Sequence, residues 1–150
     1  MNERLKFSNA LVFSGDCAEA VTYYERVFGI KAKKVLRYKD VPEIKDDDVY
    51  PLMKEFYESD LDLVRMAVLE IGGVEFRLFD LVDHMNMDRT ERVSFMIIDT
   101  VENASMYYEN MVKEGGEVYV PPQKRFFSDF NAAVVDRFGF MWTFDGGYKF

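Results

Sequence analysis

The sequence predicts an α+β fold of two paired βαβββ modules. Three observations carry that expectation. A helical stretch is written twice, since Ala20–Glu25 and Ala104–Glu109 both read Ala-x-x-Tyr-Tyr-Glu. Each copy follows one segment rich in β-formers and precedes three more. Glycine-bearing turns, Gly72-Gly73 and Asp136–Gly139, fall between the last two segments of each half. A large unit repeated only twice argues against a solenoid and for two like half-domains. Each half has one amphipathic helix to cover one sheet.

The elements follow in order. Leu5–Phe13 is the first expected strand, and Asp16 with Glu19 three residues on offers a capping box for the helix after it. Ala20, Tyr23, Tyr24, Val27 and Phe28 recur at helical spacing and define one buried face. Gly29 supplies the stop. Extended segments are expected at Lys31–Lys39, Leu63–Ile71 and Val74–Asp80, the last two joined by a tight turn. In the second half a strand at Arg92–Asp99 leads to a helix capped by Thr100. Its stripe is Ala104, Tyr107, Tyr108, Met111 and Val112, and Gly115-Gly116 ends it. Gly116–Pro122, Phe130–Asp136 and Phe140–Asp145 complete the pattern. Module one thus runs over 1–81, a linker over 82–90 and module two over 91–150. The faces of the sheets away from their helices are expected to meet around a shared cleft.

Two segments do not repeat. Asp40–Asp62 is an extra piece with the acidic run Asp46-Asp47-Asp48, and Pro51 is placed to start a short helix through Tyr57. The run lacks the glycine-punctuated spacing of a calcium loop and reads as a solvated face. The linker holds the only histidine, His84.

Composition narrows the classes. The 150 residues suit one domain, and 49% hydrophobic with 16% aromatic content fills a core. A formal net charge of -8 disfavours nucleic acid and anionic lipid as partners. One cysteine, Cys17, permits no internal disulfide, and no run of 18 apolar residues is present. A cytoplasmic domain is the expectation.

Four stretches in register, Phe13–Gly29, Met66–Gly73, Gly115–Pro122 and Val134–Phe144, resemble the vicinal oxygen chelate superfamily. The resemblance is to the PhnB-like branch of the glyoxalase, bleomycin-resistance and dioxygenase proteins. It implies the paired βαβββ fold, often as a homodimer. In metal-dependent members it implies a divalent metal held by His and Glu on the first and last strands of each module.

The positions that match those ligands do not carry them. Counting seven back from Asp16 gives Asn9, and from Thr100 gives Val93. The last-strand positions are Arg77 and Thr143, and Met66 stands where PhnB-like relatives often carry a His. Metal sites want imidazole or carboxylate ligands, valine cannot ligate, and arginine adds a fixed positive charge. No metal and no cofactor are therefore expected. The candidate ligand-binding residues are Asn9, Met66, Arg77, Trp142 and Thr143. Arg77, between Phe76 and Leu78, is placed to meet a carboxylate or phosphonate, with an internal salt bridge as the alternative. Glu70 with Glu75 reads weakly as an acid–base pair, and Cys17 weakly as a nucleophile. Phe126, Phe127 and Phe130 suggest a lid or a dimer contact, and Tyr148 and Phe150 a tail docked on a partner chain. The resulting expectation is a metal-free binding protein for a small organic ligand. A glyoxalase-type lyase or isomerase, or an interaction module with a side-chain-filled cleft, are the alternatives.

Overall fold

The computed structural model describes residues 8–41, 45–46, 54–55, 58, 60–80 and 94–150. Two compact units divide the chain. One runs over Met1–Glu25 and Gly29–Asn86, the other over Arg26–Phe28 and Met87–Phe150.

The first half of the chain runs β1 (Asn9–Phe13), α1 (Cys17–Phe28), β2 (Lys34–Arg37), β3 (Val64–Ile71) and β4 (Val74–Asp80), and all of these but the last three residues of α1 belong to the first unit. The sheet order is β1-β4-β3-β2. β1 runs parallel to β4, and the other pairs are antiparallel. Gly72 and Gly73 join β3 to β4 with φ of 58° and 79°. Both angles are left-handed, the geometry a two-residue hairpin with a primed turn requires. A single 3-10 turn, Tyr38–Asp40, follows β2 where the sequence suggested extended chain.

The alternation of a strand sorts each sheet into two faces. Leu11, Phe13, Ala67, Leu69, Phe76 and Leu78 share the buried face. Ala20, Tyr23, Tyr24 and Val27 of α1 are buried to 1% exposure or less. Burying each such large side chain contributes about 1.5–3 kcal/mol. The opposite face is more open. It carries Ala10 and Val12 from β1, Arg77 and Phe79 from β4, and Met66 and Val68 from β3.

α1 is not capped by Asp16, whose side chain makes no capping hydrogen bond. The carboxylate comes from the far end of β4. Asp80 Oδ1 accepts from the amides of Gly15 (2.9 Å) and Cys17 (3.0 Å), and Oδ2 accepts from the amide of Val64 (2.9 Å). The Tyr38 hydroxyl donates to the Asp80 carbonyl oxygen at 3.0 Å.

The second unit repeats the plan with β5 (Ser94–Asp99), α2 (Val101–Lys113), β6 (Glu117–Arg125), β7 (Ser128–Val135) and β8 (Met141–Gly146), in the order β5-β8-β7-β6. Again the first strand is parallel to the last and the remaining pairs are antiparallel. α2 is capped locally, as expected, with Thr100 Oγ1 accepting from the Asn103 amide at 3.2 Å. Tyr108 of α2 meets the rings of Phe130 and Phe144, which identifies the helix-covered face. Gly146 allows a close approach, because a Cβ there would lie 2.6 Å from Val101 Cα.

β6 is longer than the sequence suggested. It passes through Pro121-Pro122 to Arg125, and its register with β7 shifts at three places. Prolines are tolerated because β6 is an edge strand and because Pro121-Pro122 fall where the β6–β7 register shifts, between Val120 and Gln123. Of the three aromatics suggested as a lid or a dimer contact, Phe126 and Phe127 form the turn of the β6–β7 hairpin and Phe130 lies within β7.

Candidate functional site

The open faces of the two sheets hold the candidate residues, and the strand register decides which candidates belong there. In the first unit Arg77 lies beside Ala10 on β1 and Val68 on β3. Met66, two residues before Val68, lies on the same face. Arg77 and Met66 are half-buried, and Val68 is buried. Arg77 Nη1 donates to Ser8 Oγ at 2.9 Å, and Nη2 lies 3.7 Å from Glu75 Oε1. The second distance is an ion pair without a hydrogen bond. A guanidinium has five N–H donors, so Arg77 keeps donors to spend on a ligand. The internal pairing and the open placement coexist.

Asn9 departs from this arrangement. Its register partner is Phe76, and it shares parity with Leu11 and Phe13. It therefore lies on the buried face, and Ala10 is the residue that β1 presents beside Arg77. Because every residue from Ala10 to Phe13 is apolar, the sequence offered no polarity to tell one face from the other.

In the second unit Thr143 sits on the open face, opposite Met96 and Ala133. Its hydroxyl meets Ser94 Oγ at 2.6 Å. Trp142 lies on the covered face and is 0% exposed. Its ring stacks against Phe28 (5.1 Å) and Phe95 (4.9 Å), and Nε1 donates to Asp136 Oδ2 at 2.9 Å. Asp136 Oδ1 also accepts from the amides of Phe138 and Phe140. Trp142 is thus an anchored core residue, separated from Thr143 by the pleat.

The other chemistry-bearing groups have structural employment. Glu70 and Glu75 face each other across β3–β4. Glu70 pairs with Lys33, and Glu75 lies beside Arg77. That hydrogen bond to Glu70 raises the Lys33 pKa. Cys17 is wholly buried, and burial, reinforced by the Asp80 and Asp16 charges, pushes its thiol up. A thiol held protonated is a poor nucleophile. Lys39 holds the exposed Asp62 carboxyl below its ordinary range. The C-terminal tail packs on its own hairpin: Phe126 meets Phe127 and Phe150, Phe127 meets Tyr148, and the Lys149 amide donates to the Phe127 carbonyl oxygen at 2.9 Å. His84, Val93, Pro51, Tyr57, Asp47 and Asp48 lie outside the described residues.

The donor set does not fit the metal of the metal-dependent relatives. On the first sheet Ala10 and Arg77, and on the second sheet Thr143, offer neither imidazole nor carboxylate, and Arg77 brings a repelling charge. Among the described residues no group of three or more His, Cys, Asp or Glu could hold a metal ion. None of the described helices is long and apolar enough to cross a membrane.

One polar pair is not apparent from the sequence pattern. Asn131 and Asp145 are partners across β7–β8 on the open face, and Asn131 Nδ2 donates to Asp145 Oδ1 at 2.9 Å. Both are buried. The available signal was a polar residue in each of two largely apolar stretches, Asn131 within 130–135 and Asp145 within 141–145.

Two four-stranded sheets with the same order and the same parallel first–last pairing define a paired-module α+β fold. The chain belongs to the Glyoxalase/Bleomycin resistance protein/Dioxygenase superfamily, whose family model matches residues 6–144. It is similar to protein YjdN of Escherichia coli (strain K12), 21% identical over 140 residues and covering 92% of each chain. Among solved structures it is similar to protein PA1353 from Pseudomonas aeruginosa, with 23% identity, a TM-score of 0.72, and coverage of 95% of this chain and 97% of that one. The PhnB protein from Bacillus cereus gives 21% identity and a TM-score of 0.73, covering 95% of this chain and all 100% of the other.

Proposed function

We propose that this superfamily member is a metal-free binding protein for a small anionic organic molecule. The observation that carries the reading is Arg77 on the open face of the first sheet, with unspent donors beside the small side chain of Ala10. Arginine matches carboxylate and phosphonate oxygens in a planar fork, and a half-buried position strengthens that pairing over one in bulk water. Glu75 at 3.7 Å orients the guanidinium and tempers its charge. Aliphatic neighbours Val68 and Met66 supply an apolar surface for the rest of the ligand. No step of this reading passes through a metal.

Thermal unfolding tests it. The protein is treated with EDTA, and Ni, Zn, Mn, Mg and Fe(II) are restored one at a time. Small carboxylates and phosphonates are added in parallel wells. A ligand selective for the folded state raises the midpoint by mass action. The expected result is a rise with an anion that Arg77→Met abolishes, and none with any metal. A specific rise with one metal overturns the reading.

A further inference from the structure

Among the described residues three aspartates are buried to 3% exposure or less: Asp80, Asp136 and Asp145. Their surroundings differ. Asp80 accepts from three backbone amides. Asp136 accepts from two amides and the Trp142 indole. Asp145 accepts only from Asn131 Nδ2 among the described residues. A carboxylate has room for about four hydrogen bonds, and burying one with a single neutral donor is costly. Such a deficit in a folded protein calls for an explanation. The described residues contain no fully buried side-chain oxygen or nitrogen without a partner, so Asp145 Oδ2 retains a trace of access.

What adjoins it specifies a ligand. Ile98 lies directly across from Asp145 on β5 and is 56% exposed, and Met96, opposite Thr143, is 46% exposed. Ser94 and Thr143 close the same face with their paired hydroxyls. A nearly buried anion therefore stands next to an exposed aliphatic surface. A metal ion would want several oxygen or nitrogen ligands around it, whereas this setting has one carboxylate and a wall of hydrocarbon. We infer that Asp145 and Asn131 form a binding position for a small organic cation, a primary alkylammonium. Its N–H groups complete the Asp145 carboxylate, and its alkyl arm lies on Ile98 and Met96. The position shares with the Arg77 reading only the premise that open sheet faces take small molecules. It differs in sheet, in charge and in the variant that removes it.

Nitrogen–proton correlation NMR on the whole chain tests this. Ethylammonium and butylammonium are titrated, with ethanol and butanol as neutral controls, sodium chloride as the ionic control and magnesium as the metal control. The expected result is a saturable shift of the Asn131 side-chain amide and of the Ile98 and Thr143 backbone amides, produced by the ammonium ions alone. Asp145→Asn weakens the apparent affinity about tenfold or more, the loss of one charge-assisted bond. Arg77→Met leaves the response intact, so failure of the anion reading is scored separately. Absence of saturable shifts at these groups in the wild-type protein overturns the inference, whether or not Asp145→Asn folds. So does an equal response to the alcohols, or a response to magnesium instead.

Discussion

The two helices carry the same stripe of residues, yet their N-termini are finished by different chemistry. α2 is closed from within five residues: Thr100 Oγ1 accepts from Asn103, and Asp99 Oδ1 accepts from the Thr100 amide and from Asn103 Nδ2. α1 is closed by Asp80, 63 residues further along the chain than the amide of Cys17 that it binds. The local cap stabilises a helix. The remote one ties a helix start to the end of β4 and, through Val64, to the start of β3. One carboxylate thus fixes three elements, and the first unit depends on a single side chain where the second spreads the task.

Substitutions at the two helix starts should differ in cost. Asp80→Ala should have the largest effect, because it leaves the amides of Cys17 and Val64 buried without partners. A loss of about 3–5 kcal/mol is expected, and a midpoint lower by on the order of 10 °C in calorimetry. Cys17 reports the same event. Its buried, protonated thiol should resist a thiol reagent in the native protein and become reactive in this variant.

Gly146→Ala comes next, at about 1–3 kcal/mol. Its Cβ would press on the Val101 backbone, so the start of α2 must move. Urea unfolding measures the cost, and an unchanged midpoint would show that the approach of strand to helix is slack. Thr100→Ala should cost only about 1 kcal/mol, with Asp99 still accepting nearby.

The smallest effect belongs to the exposed Lys39–Asp62 pair. Asp62 has a depressed folded pKa, so its contribution is present above the ordinary carboxyl pKa and fades as pH falls through the folded value. An NMR titration should place its midpoint low and return it to the ordinary range in Lys39→Ala, while the melting curve barely moves.

What was legible in the sequence was what depends on near neighbours. The helical stripes, the stop at Gly29, the Gly72-Gly73 turn and the Thr100 cap are set by residues a few positions apart. Asp80 was not legible as a cap, since pairing Phe13 with Asp80 requires the β1–β4 register, which no local pattern encodes. The candidate set suffered from the same blindness. Met66, Arg77 and Thr143 fall on open faces, whereas Asn9 and Trp142 fall on buried ones. Strands apolar on both sides hide their parity. Asp145 was overlooked because a terminal aspartate after Phe144 reads as the end of a strand, when it is still one rung inside β8.

β6 borders its sheet with nine residues, nearly all exposed, and such a border is ordinarily an invitation to a stranger's backbone. Pro121 and Pro122 carry no amide hydrogen, and because adjacent residues of a strand turn to opposite sides, one of the two interrupts the outward row. An incoming strand finds the ladder interrupted where it would need to zip, and the neighbouring Lys124 and Arg125 add charge at the same rim. The sheet therefore ends at that side by chemistry and not by cover. At high concentration the folded chain has one less route toward fibrils, without any other element having to shield it.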